Sequence, residues 1–205
     1  MTVTSTKHYS QIKTRLSKMN MTLQPQQKSS TTKSLLFDIE STGLLRRGSS
    51  IHCIVVRDTN DPDKAKVFDH LKDRPVINGV KLLEDADTLI GHNIVGYDIP
   101  LLKEQFPDFS PKGQIIDTLV LARIFYPSEI LRERDHARQP EGMPLKLYAS
   151  HSLKAWGYRL RCYKGEFDKE QFHTYTPEML DYCIQDTEVT LKLYQLMLRR
   201  MKDYA

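Results

Sequence analysis

Acidic residues are missing from the first 34 positions, which hold six basic side chains: Lys7, Lys13, Arg15, Lys18, Lys28 and Lys33. The net charge of +4 therefore belongs to this tail. Residues 35–205 carry 24 basic against 26 acidic side chains, so charge alone does not mark the body of the chain as a binder of polyanions. Cysteine is scarce too. Cys53, Cys162 and Cys183 are odd in number and far apart, which excludes a disulfide framework and a cysteine-based metal spacing, and fits a reducing compartment. The seven histidines make no zinc-type pair; His92 and His151 read as structural. No apolar run reaches the roughly 18 residues that a membrane-spanning helix needs. The one tryptophan, Trp156, sits at helical spacing and reads as core rather than as a base-stacking platform. There is no internal repeat.

What is present falls into two parts. Residues 1–34 are rich in Ser, Thr, Gln and Lys, and "QPQQKSSTTKS" (24–34) offers nothing to a core, so this segment reads as a disordered basic extension. Within it Tyr9, Ile12, Leu16 and Met19 recur at helical spacing, which allows a short amphipathic helix over 8–20. A frayed tail, a docking helix and a mitochondrial targeting peptide are the three readings; no secretory signal is visible. The expected site is otherwise the cytoplasm. Residues 35–205 form one domain by length and patterning.

From residue 35 the pattern alternates. Strands are expected at 35–40, 51–57, around 66–68, at 87–91 and at 115–116. Helices are expected at 80–86, 98–105, 117–125 and 151–156, with a long charged loop over 126–149. A last long helix opens with Thr176 as its cap and Pro177 at its first position, and closes near Arg199, Arg200 and Lys202. This order implies an α/β domain with a mixed sheet.

Three places break the hydrophobic pattern with carboxylates. In "LLFDIESTG" (35–43), Asp38 and Glu40 stand two residues apart in a strand, so both point to one face. In the last helix, Asp186 interrupts the stripe Met179, Tyr182, Val189, Leu193, Leu196. In "GHNIVGYDIP" (91–100), Asp98 stands at a helix entrance, where a cap or first-turn acid would also stand. Buried carboxylates that converge repel one another unless a cation lies between them. Oxygen ligands without His or Cys suit Mg²⁺ or Mn²⁺ rather than zinc. Two such ions about 3.5–4 Å apart stabilise the attacking and leaving oxygens of a phosphoryl displacement. Tyr182 lies four residues before Asp186, on the same helical face, within reach of that site.

Asp38-Ile39-Glu40, Asn93-x-x-x-Tyr97-Asp98 and Tyr182-x-x-x-Asp186 together resemble the three motifs of the 3′–5′ exonucleases that carry four acidic residues and a tyrosine in the third motif. "IDTLVLARIFYP" (116–127) and "HSLKAWGYRL" (151–160) are similar to the proofreading exonuclease domain of A-family phage DNA polymerases. The resemblance covers roughly 35–200. It implies an RNase H-like mixed five-stranded sheet flanked by helices, and hydrolysis with two metal ions that releases nucleoside 5′-monophosphates from a 3′ end.

Carried over residue by residue, Asp38, Glu40, Asp98 and Asp186 match the acids that hold Mg²⁺ or Mn²⁺, and Tyr182 matches the tyrosine that positions water. Thr42 and Leu44 fall where the family has a contact to the terminal nucleotide and an apolar wedge against its base, and Asn93 matches a substrate-side polar residue; a turn residue, turn packing and a backbone cap are the plain alternatives. Lys154, Arg159, Arg161 and Lys164 carry backbone phosphates if they face the cleft, and otherwise form a solvated face. The implied partners are a single-stranded or frayed DNA 3′ end and a DNA polymerase or another replication or repair protein. A-family polymerases continue long past this helix, whereas no polymerase motif is present here, so an excised fragment and a separate gene product both fit. An exoribonuclease is one alternative reading, and a non-catalytic docking subunit is another.

Overall fold

The computed structural model describes residues 32–43, 48–71, 73–163 and 173–203. The central strand is β1 (Ser34–Ser41). It pairs antiparallel with β2 (Ile51–Asp58), which pairs antiparallel with β3 (Asp61–Phe68). On its other edge β1 pairs parallel with β4 (Thr88–Gly91), and β4 with β5 (Gln114–Asp117), giving the order β3-β2-β1-β4-β5. The described helices are α1 (Val76–Glu84), α2 (Asp98–Gln105), α3 (Thr118–Phe125), α4 (Ser128–Arg138), α5 (Leu153–Arg159) and α6 (Pro177–Asp203). None of them is long and apolar enough to cross a membrane. The mixed five-stranded sheet flanked by helices is the fold the motifs imply. The expected tail helix over 8–20 lies outside the described residues.

Alternation along β1 builds the two faces. Leu35, Phe37 and Ile39 pack into one core with Val80 and Leu83 of α1 and Leu101 and Leu102 of α2. Leu36 faces the other way, into a core with Leu121 of α3, Trp156 of α5, and Val189 and Leu193 of α6. Asp38 and Glu40 share the parity of Leu36, so the pleat turns both carboxylates toward the α6 side. Trp156 is a core residue, as its spacing predicts.

The expected stripe of α6 is shifted. Met179, Val189 and Leu193 are buried, but Cys183, Thr187 and Thr190 share that face, while Tyr182, Asp186 and Leu196 lie at its border. Two contacts fix the rotation. The Thr176 hydroxyl accepts the Met179 N–H at 3.2 Å and starts the helix. Arg57, buried in β2, donates from Nε to Thr187 Oγ1 at 2.8 Å and pairs with Glu188 at 3.5 Å. The tether lies beside Asp186 in sequence and holds that stretch of α6 over the sheet.

The segment 126–149 is not a long loop. It contains α4 and a short 3₁₀ turn, Leu145–Leu147. Only Leu131 and Asp135 of α4 are buried, so hydrophobic periodicity gives almost no helical signal there. The inner contact is ionic instead. Arg159 grips Asp135 with two bonds, Nε to Oδ1 at 2.9 Å and Nη2 to Oδ2 at 2.8 Å, and the Ala149 N–H adds a third at 2.9 Å. Burial of Asp135 opposes its charge, but these bonds outweigh it and hold its pKa below the usual value. Arg159 is thus structural, and the reading that it carries phosphate is corrected. Asp135→Ala leaves a buried guanidinium without its partner, so urea unfolding should show a loss of about 3–5 kcal/mol. A loss within the ordinary surface range, about 0.5 kcal/mol, would show that α4 does not depend on this pair.

The remaining differences are at boundaries. β3 starts at Asp61 because an edge strand accommodates Pro62 and needs no apolar alternation. α1 starts at Val76, after Pro75, rather than at 80. α5 runs to Arg159, with the Ser152 hydroxyl accepting the Ala155 N–H as its cap.

Candidate active site

The site forms where β1 outruns its parallel neighbour. β4 pairs with β1 only as far as Leu36–Ile90, then turns at Gly91 into the loop that leads to α2. A Cβ at Gly91 would stand 2.2 Å from Ile94 Cγ2 and 3.0 Å from Phe37 O, so only glycine permits this close turn. The next turn is held by Asp117 at the end of β5, which accepts the backbone N–H groups of Asn93 at 2.9 Å and Val95 at 3.1 Å while also capping α3 at Leu119 N. Asn93 takes a left-handed φ of 64°, a conformation asparagine tolerates better than most residues. α2 then starts beside the free end of β1, and the Ile39 N–H hydrogen-bonds the Asp98 carboxylate.

Four carboxylates meet here. Asp38, Glu40 and Asp98 come from the strand end and the α2 start; Asp186 comes from α6. Glu40 is 8 % exposed and Asp98 4 %. Ligand atoms of Asp38, Glu40 and Cys183 lie within 4.8 Å of one another. Burial and then the neighbouring Asp186, Asp98 and Glu40 charges raise the Asp38 pKa well above its usual value. Burial, followed by the Asp186 and Asp98 charges, pushes Glu40 up to about 8. Burial raises Asp98 to about 7, against hydrogen bonds from its own N–H and that of Ile39, and raises Asp186 to about 7 against the hydrogen bond from Tyr182. Carboxylates that resist ionising this strongly suit a bound cation, and an all-oxygen acidic set fits hard divalent ions.

Tyr182 hydrogen-bonds Asp186 one turn on, and burial followed by the Asp186, Glu40 and Asp38 charges raises its pKa, so the phenol stays protonated. It therefore donates to Asp186 and keeps its oxygen lone pairs for a further donor. Tyr97, just before Asp98, bonds Ser41 Oγ at 2.5 Å and also donates to Gly43 O, tying the α2 start to the chain leaving β1. Thr42 Oγ1 accepts the Ser50 N–H at 2.9 Å and closes the β1–β2 hairpin. Leu44 and Lys164 lie outside the described residues. His92 is structural as expected: one ring nitrogen bonds Thr118 Oγ1 and the other His151 O, both at 3.0 Å.

Two residues of this site carried no signal of a functional role in the sequence. Cys183 sits under Asp38, its thiol 3.5 Å from Oδ2 and 3.6 Å from the backbone oxygen. Burial, a hydrogen bond with Cys53 and the Asp38 charge keep that thiol protonated. Asp117 was legible only as a strand-end acid before a helix, which is a capping signal.

The family model of the RNase H superfamily matches residues 35–198. The DNA-directed DNA polymerase of Enterobacteria phage T3 is 30 % identical over 193 residues, which cover 80 % of this chain and 26 % of that protein. That of Escherichia phage T7 is 29 % identical with the same coverage. The chain thus spans about a quarter of the length of these relatives. Among solved structures, Brucella melitensis NrnC bound to pGG superposes with a TM-score of 0.56 at 18 % identity, covering 88 % of this chain and 78 % of that one, and the same protein has been solved with bound Mg²⁺. These structural likenesses show the fold. The chain belongs to the RNase H superfamily.

Proposed function

We propose that the chain is a metal-dependent 3′–5′ exodeoxyribonuclease, and that Asp38, Glu40, Asp98 and Asp186 hold its Mg²⁺ or Mn²⁺, two ions per site. The observation that carries this reading is the convergence of four carboxylates, Glu40 and Asp98 buried and Asp38 and Asp186 half-buried, whose pKa values are all raised. When bound, the ions supply positive charge to the attacking and leaving oxygens of the displacement. The chain's own residues do the rest. Asp186 fixes the Tyr182 hydroxyl, whose oxygen accepts a hydrogen bond from the attacking water and aims it at phosphorus. The water oxygen loses a proton to solvent as it bonds to phosphorus, the bond from phosphorus to the 3′ oxygen of the preceding nucleotide breaks and that oxygen takes up a proton, and a nucleoside 5′-monophosphate leaves. Thr42, Leu44 and Asn93 would border the terminal nucleotide.

DNA as the substrate is supported by the identity to two phage DNA-directed DNA polymerases. Proofreading beside a DNA polymerase and end-trimming during repair are the roles that follow. Digestion of a 5′-labelled single-stranded DNA and its RNA twin, with Mg²⁺, Mn²⁺ or EDTA, tests the reading. A metal-dependent ladder that shortens from the 3′ end of DNA is expected. A ladder on RNA alone would reassign the substrate, and none on either would remove the activity. Tyr182→Phe deletes one hydrogen bond to the water and should slow turnover about 10–100-fold while leaving DNA affinity nearly intact. An unaltered single-turnover rate would deny Tyr182 this role.

A further inference from the structure

A second concave region lies at the other end of α6. It is a cavity of about 730 Å³ between the C-terminal half of α6, the end of α4 and the end of α5. Its arginines on α6, Arg199 and Arg200, stand 13 and 14 residues beyond Asp186, about 20 Å along the helix axis. The cavity is therefore separate from the carboxylate cluster. Its volume falls within the range of small-ligand sites, about 300–1,000 Å³.

Six arginines line it: Arg134, Arg138, Arg159, Arg161, Arg199 and Arg200. Three acids share the wall, Asp135, Glu141 and Asp203. Asp135 is spent on Arg159, and Asp203 pairs with Arg200 at 3.4 Å. Arg134, Arg138, Arg161 and Arg199 make no ion pair with a described residue. Aromatic rings hold the guanidinium groups in place. Arg134 lies 4.9 Å from the centre of the Tyr126 ring, Arg200 lies 5.6 Å from it and donates to the Tyr126 hydroxyl at 2.8 Å, and Arg159 lies 4.9 Å from the Trp156 ring. Trp156, 2 % exposed, forms part of the wall, and its indole N–H has no partner among the described residues. Arg161 and Gln139, both on the wall, take left-handed φ values of 55° and 44°.

Like charges gathered in one concavity are costly unless an anion joins them. Guanidinium forks match phosphate oxygens two at a time, and several forks on one cavity suit more than one phosphate. We infer that this cavity is a second, non-catalytic binding site for phosphate-bearing nucleotides, either free or as part of a single strand. Arginine planes supply both the phosphate contacts and flat surfaces against which a base can lie. The two aromatic rings are already covered by guanidinium groups, so base stacking falls to the arginines.

The test uses the full chain in EDTA, which keeps metal out of the carboxylate site. Binding of deoxythymidine monophosphate, a short oligothymidylate and oligoglutamate is measured by calorimetry for the wild type and for Arg138→Glu, Arg161→Glu and Arg199→Glu. These side chains are exposed, so the fold should tolerate the change, and an unchanged Tm checks this. Each reversal should weaken nucleotide binding about tenfold or more, and lysine at the same position should restore part of it. For the oligonucleotide, the salt dependence should fall by about 0.7 in log–log slope per lost contact. Binding of the mononucleotide with a stoichiometry of one identifies the free nucleotide as the source; binding of the oligonucleotide alone identifies the strand. Affinity that survives all three reversals, no binding of either probe by the wild type, or equal affinity for oligoglutamate would each overturn the assignment. None of these results bears on cleavage at the carboxylates, so this site and the hydrolytic reading fail independently.

Discussion

Asp38→Ala should lower 3′–5′ hydrolysis of single-stranded DNA by at least about 10²–10³-fold, the loss that follows removal of one preorganised electrostatic contact from an active site. Asp186→Ala should do the same. In both variants the metal-free protein should melt at a higher temperature than the wild type near neutral pH. The reason is the arrangement of charges. Asp38 feels Asp186, Asp98 and Glu40, and Glu40 feels Asp186 and Asp98, all with part of their hydration removed. Deleting one carboxylate relieves the others, so activity and stability change in opposite directions. An ordinary structural carboxylate, such as Asp135 on Arg159, would lose stability when truncated. Retained activity in either variant would end the metal assignment. A variant that loses both activity and stability would show that the carboxylate braces the fold.

The metal-free protein should lose stability as pH rises from about 5 to about 8.5, and added Mg²⁺ or Mn²⁺ should restore it. Unfolded carboxyl groups titrate near pH 4, whereas in the folded protein Glu40 titrates at about 8 and Asp98 and Asp186 at about 7. A raised folded pKa means that the native state binds protons that the unfolded state has already lost. The stabilising contribution is therefore full below the unfolded pKa and is lost as pH rises through the folded values. Metal competes with those protons, so the gain in Tm on adding metal should grow between pH 6 and 8. At a metal concentration about 100-fold above Kd the gain is about 2.7 kcal/mol, or roughly 5–10 °C for a domain of this size. Scanning calorimetry with EDTA or with Mg²⁺ across this range checks it. A flat metal-free Tm, or a metal increment independent of pH, would mean that the four acids do not act as one titrating cluster.

Most of the site was legible because its signals are local violations of pattern. Asp38 and Glu40 stand out against Leu35, Leu36, Phe37 and Ile39 within one short strand, and Asp186 stands out within a helix. Cys183 was not legible in this way, since a small buried thiol on a helix is an ordinary core residue until β1 is seen beneath it. Helix α4 was missed for a related reason. Its inward face is held by Asp135 and Arg159, residues 24 positions apart, and a polar pair so distant in sequence leaves no periodic trace. The arginine cavity was equally hidden, because α4, α5 and α6 each contribute charges that look like solvated surface on their own element.

The sequence by itself determined the order of the strands and of the described helices other than α4, the sheet's mixed character, and the parity that turns Asp38 and Glu40 to one face. Those properties depend on periodicity and on neighbouring residues, which a linear chain displays. Tertiary structure alone decided where the acids meet. β4 stops pairing at Ile90, Gly91 lets the chain turn close to Phe37, and Asp117 holds the turn that delivers Asp98 to the end of β1. Arg57 then holds α6 where Asp186 and Tyr182 close the other side. Each of these contacts joins residues far apart in the chain, and their strength depends on burial and distance, which exist only once the chain has folded.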